Sequence, residues 1–107
     1  MDHRVVAMDP ASVRTGAVAS VAAEVLRYGL IFIHQHANDP AVVAAVTDLL
    51  EGVPRLIYDP GNRGAQDAAR RDVIDLARRF PRSGFVARAR VLDVALGSGA
   101  PSLARIN

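Results

Sequence analysis

Tyr28-Gly29-Leu30-Ile31-Phe32-Ile33-His34-Gln35-His36 is the stretch on which the fold turns. Read one way, Gly29 closes a helix and Leu30–Ile33 is a short buried strand. Read the other way, Gly29 is tolerated inside one long helix over residues 12–36. A short apolar run does not by itself separate a buried strand from a buried helix segment. The surrounding pattern therefore has to arbitrate.

Two other runs resemble it. Val5-Val6-Ala7-Met8 leads into Asp9-Pro10, and Leu56-Ile57-Tyr58 leads into Asp59-Pro60, as Leu30–Ile33 leads on to Asp39-Pro40. Between them lie helix-like stretches. Asp9 is suited to cap a helix over residues 10–28, with Pro10 in its first turn and Gly29 as terminator. Val13, Ala17, Val21 and Val25 keep helical spacing along it. Asp39 and Pro40 open a second helix, with Val42, Val43, Val46, Leu49 and Leu50 facing inward and Gly52 as its stop. A third runs from Ala65 to Phe80, with Ala69, Val73, Leu76, Ala77 and Phe80 on one stripe, and Pro81 ends it. Residues 85–96 read either as a strand entering a short helix, the reading favoured here, or as a helix ended by Gly97. Residues 97–107 read as a loose tail.

The even spacing of the runs at 5–8, 30–33 and 55–58 leaves room for a helical crossover each time. The expectation is a single α/β domain over residues 1–107: a small open sheet of three or four mostly parallel strands with helices packed across it. An all-α bundle is the alternative.

Composition bounds the rest. The chain has 107 residues, half of them apolar, and no cysteine, which excludes disulfides and thiolate metal sites. All 13 basic residues are Arg, a usage expected of coding bias in a GC-rich bacterial genome. Met1-Asp2-His3-Arg4 does not open a signal peptide, and the uninterrupted run Gly29–Ile33 is too short to cross a bilayer. The expected location is cytoplasmic, without a membrane. Charge is uneven: residues 1–52 hold three Arg against six acids, residues 53–107 ten Arg against five acids. That asymmetry suits an anionic partner or head-to-tail self-association.

On the α/β reading, Asp9, His34, His36 and Asp59 all follow strand ends, where open sheets gather their ligand sites. His34 and His36, two apart, point the same way on an extended segment. Together with the carboxylates they could bind a divalent metal or supply a general base. Gly61-Asn62-Arg63-Gly64 precedes a helix, whose free N–H groups attract anions. It is neither a Walker loop nor a dinucleotide fingerprint. For each of these residues a structural role competes: cap, solvated surface, or turn. The Arg residues at 70, 71, 78, 79, 82, 88 and 90 are interleaved with Asp67, Asp72 and Asp75 and accompanied by few aromatics, which argues against nucleic acid.

The twelve residues Val5-Val6-Ala7-Met8-Asp9-Pro10-Ala11-Ser12-Val13-Arg14-Thr15-Gly16 resemble the opening strand and turn of Holliday-junction-resolvase-like nucleases of the RNase H fold. The resemblance implies a metal-binding role for Asp9 and for no other residue here. The chain departs from that pattern at Ala11, where the family has Gly, and over residues 17–28, which read as helix instead of a hairpin.

Function is therefore expected to be that of a small binding or assembly module, self-associating as a homodimer and recognising a phosphate- or carboxylate-bearing ligand. The alternative is a metal- or phosphate-dependent enzyme, the resolvase-like nuclease included. No motif names a cofactor or a reaction.

Overall fold

A computed structural model describes residues 10–97, and every regular element among them is a helix. These are α1 (Pro10–Gln35), α2 (Pro40–Gly52), α3 (Pro54–Tyr58), α4 (Arg63–Arg79) and α5 (Phe85–Leu96). The expected α/β sheet is thus wrong, and the all-α alternative describes the chain. Leu30–Ile33 is the last part of α1, Arg55–Tyr58 is the single turn and a half of α3, and residues 85–91 open α5. The run at 5–8, Asp9 and the tail 98–107 lie outside the described residues.

The stretch around Gly29 is helical because its apolar residues continue the heptad-like spacing of the preceding turns. Val18, Ala22, Val25, Gly29 and Phe32 step by four, three, four and three, and all are buried. A helix broken at Gly29 would leave Phe32 without the α5 neighbours it now packs on. Gly29 is not a terminator. Its missing side chain allows close approach of α2: a Cβ there would lie 2.8 Å from Leu50 Cδ2. The one positive-φ residue described is Gly97, at φ 70°, where it ends α5.

Local caps behave as the sequence implies. Asp39 accepts from the amides of Ala41 and Val42, and Pro40 follows in the first turn of α2. α4 opens two residues earlier than expected, at Arg63, because Asn62 accepts from the Ala65 amide.

α1, α2, α4 and α5 form a four-helix bundle in which α1 and α4 lie on a diagonal. Phe85, at the start of α5, packs on Tyr28 and Phe32, while Leu96 at its end shares a hollow with Val18, so α5 runs antiparallel to α1. α3 closes one end, touching α1, α2 and α4 through the buried Val53 and Leu56 region. The core is aliphatic along its length, with Val46, Leu49, Val73, Leu76 and Leu92 buried. It is aromatic at the end where α1 finishes: Phe32 stands 5.2 Å from Phe80 and 5.0 Å from Phe85.

Candidate docking groove

The helical fold separates the residues that the sheet reading gathers. His34 and His36 lie at the C-terminal end of α1, exposed. The 59–64 loop lies at the opposite end, where Arg63 shares a hollow with Val18. Sixteen residues of helix separate Val18 from His34, about 24 Å at 1.5 Å per residue. The structure therefore does not bring His34 or His36 together with Asp59, and no group of three or more potential metal ligands occurs among the described residues. Asp9 lies outside them.

His36, Asp59 and Asn62 have local tasks. The His36 ring stacks on Phe32 with centroids 4.3 Å apart, and its Nδ1 donates to the Phe32 carbonyl at 2.9 Å. Asp59 accepts from the Asn62 amide side chain, and Gln66 donates to the Pro60 carbonyl at 2.7 Å. Within Gly61-Asn62-Arg63-Gly64, the Asn62 side chain is thus engaged in building the α4 N-terminus. Arg63 and Gly64 belong to the helix itself, and both are exposed.

The feature that sequence reasoning missed lies between α1 and α5. An apolar groove of about 350 Å³ runs there, lined by Ser20, Val21, Glu24, Ala87, Arg88 and Val91. Its outer wall is unusual for a small domain: Val91 is 52% exposed and Val94, one turn on, 72%. On the α1 side Ala17 and Ser20 are also exposed. Two exposed valines one turn apart beside an apolar groove mark an interaction surface more often than a scattered surface valine does.

One end of the groove is held by an ordered polar group. Arg88 donates to Glu24 Oε2 at 2.8 Å and to the Gly84 carbonyl at 3.1 Å, and its guanidinium lies 4.1 Å above the Tyr28 ring. The Tyr28 hydroxyl accepts from the Gly84 amide at 2.7 Å. The hydrogen bond from Arg88 is the main influence holding the Glu24 carboxyl below its ordinary range, opposed by partial burial and helped by Arg27. Arg27 also bonds Glu24 at 3.2 Å. This constellation sets the register of α5 against α1, and so fixes the groove's shape. The signal was present in sequence as Arg88, Val91 and Val94 at helical spacing, but only if residues 85–96 are read as one helix.

α1 carries a further property. Thr15–Gln35 is long and apolar enough by length and composition to cross a membrane. Counting only uninterrupted apolar residues conceals this, because Glu24 and Arg27 interrupt the segment. In the bundle its buried stripe packs on α2, α3 and α5.

Comparison with protein families, with characterised proteins and with solved structures yields no match to this chain.

Proposed function

We propose that this chain is a small cytoplasmic assembly module that pairs with a second copy of itself through the α1–α5 face. The observation that carries the reading is the exposed Val91–Val94 ridge standing directly beside the apolar groove that Val91 helps to line. A ridge and a groove side by side are self-complementary: a twofold axis along the face lays each copy's ridge in the other's groove.

The test is sedimentation equilibrium of the wild type and of Val91→Glu and Val94→Glu. Both positions are exposed, so neither substitution should unfold the chain. The expected result is a dimer for the wild type and monomers of unchanged helical content for both variants. A wild type that remains monomeric at high concentration, or variants that dimerise as well as it does, would refute the proposal.

A further inference from the structure

A second surface, at the end of the bundle where α1 and α4 finish, is built differently from the groove. An open basin of about 720 Å³ lies there, with Phe32 and Phe80 in its floor and Gln35, His36, Arg79 and Arg82 around it. Phe32 is held rigidly, between Phe80, Phe85 and the stacked His36 ring. Phe32 is buried beneath His36, so the rings open to the basin are Phe80 and His36, fixed from behind by Phe32. Arg79 pairs with Asp75 at 3.1 Å. Arg82, exposed in the α4–α5 loop, has no carboxylate within ion-pair distance among the described residues.

We infer that this basin binds an acidic peptide segment through one aromatic side chain. Three observations lead there. First, the site is an open basin, whereas small-molecule sites enclose most of their ligand. Open sites combining aromatic rings with Arg are the composition of protein-contact hot spots. Second, the part-buried Phe80 ring and the exposed His36 ring, backed by buried Phe32, accept an uncharged ring by edge or offset stacking. Third, charge is distributed in a way that places the acids away from that ring. α1 and α4 both end at the basin, and their last carbonyls repel an anion laid directly on the floor. Arg82 at the rim attracts one. A segment with an aromatic residue flanked by Asp or Glu meets both demands, whereas an aromatic acid with its charge attached to the ring meets only one. The inference is independent of self-association, since the basin shares no lining residue with the α1–α5 groove.

The chain contains no Trp, so the fluorescence of a peptide Trp reports binding without background. Three short capped peptides would be titrated: one Trp flanked by Asp and Glu, the same peptide with Lys replacing the acids, and the acidic peptide with Ala replacing Trp, the last followed by amide chemical shifts. Indole-3-acetate is the small-molecule arm. The acidic Trp peptide should bind about tenfold or more tightly than either control, with shifts centred on His36, Arg82 and Ser83. Arg82→Glu should weaken it about tenfold while leaving the sedimentation behaviour of the chain unchanged. Equal binding of acidic and Lys peptides, an unchanged affinity in Arg82→Glu, shifts centred on Val91, or indole-3-acetate binding as well as the peptide would each overturn the inference.

Discussion

Gly29→Ala tests the central structural claim, because its outcome has opposite signs for a helix interior and a helix end. In the interior, replacing Gly by Ala gains about 1 kcal/mol of helix propensity. Against this stands one close approach. The new Cβ would lie 2.8 Å from Leu50 Cδ2, with Val46 Cγ1 at 3.8 Å. Leu50 must withdraw by about 1 Å to reach ordinary contact, which its half-buried, flexible side chain can do for about 0.5–1.5 kcal/mol of rotamer strain. The two terms nearly cancel, so Gly29→Ala should lie within about 1 kcal/mol of wild type. Gly29→Val should be worse by about 1–3 kcal/mol, since its two methyls press on Val46 as well as Leu50 and no single side chain relieves both. The decisive measurement is a double-mutant cycle by urea melts followed at 222 nm. With Leu50→Ala the clash disappears, and Gly29→Ala should then stabilise by about the full propensity gain. A left-handed terminator at position 29 behaves otherwise: Ala would cost about 1 kcal/mol in both backgrounds. That result would refute the continuous α1. Gly97, whose φ is 70°, is the internal control, and Gly97→Ala should show this penalty of about 1 kcal/mol.

Gly84→Ala should destabilise by about 1–3 kcal/mol, because its Cβ would fall 2.8 Å from Cζ of the packed Tyr28 ring and 2.7 Å from Arg88 Nη1; a thermal melt indistinguishable from wild type would refute this tight packing. Tyr28→Phe should cost about 1–2 kcal/mol by leaving the Gly84 amide without its acceptor, measured by the same melts. Burial between α2 and α4 pushes the Asp72 carboxyl above its ordinary 3.8, with Asp48 and Asp75 adding to the effect and Arg71 opposing it. The folded chain holds that proton more tightly than the unfolded chain, so this group's contribution to stability falls as pH rises from about 3.8 through the raised value. Asp72→Asn should therefore raise Tm at pH 7 and leave it unchanged near pH 2. Glu24 has the opposite sign: its lowered carboxyl stabilises above its ordinary 4.5 and loses that contribution as pH falls, so Glu24→Gln should lower Tm at pH 7 and converge with wild type in acid.

Much of the helical content was legible residue by residue. The stripes Val42-Val46-Leu49 and Ala69-Val73-Leu76-Ala77 are core in the structure, and Asp39-Pro40 opens α2 as its chemistry requires. The error lay in the short apolar runs at 30–33 and 55–58. Leu30–Ile33 and Arg55–Tyr58 carry no intrinsic mark that distinguishes strand from helix. Asp39-Pro40 punctuates a helix start in either fold, and Asp59-Pro60 instead follows α3, with Asn62 capping α4. Gly29 supplied the wrong boundary because glycine has two separable uses, a positive φ and a vacant Cβ position. Sequence shows only the residue, and here the second use applies.

The separation of His36 from Asp59 follows from the fold. In a parallel sheet, residues after successive strands collect at one edge, so Asp59 and His36 become neighbours. In an up-and-down bundle, successive loops alternate between opposite ends, and the same two residues fall at opposite ends of the bundle. Topology, not residue chemistry, decides which side chains can cooperate. The surfaces that the bundle does build come from pairs with no sequence proximity: Glu24 with Arg88, and Phe32 with Phe80. The first pair joins α5 to α1 directly, and Phe85 at the start of α5 packs on Phe32 of the second. Residues 85–96, the segment most ambiguous in sequence, are therefore the element on which both candidate surfaces rest.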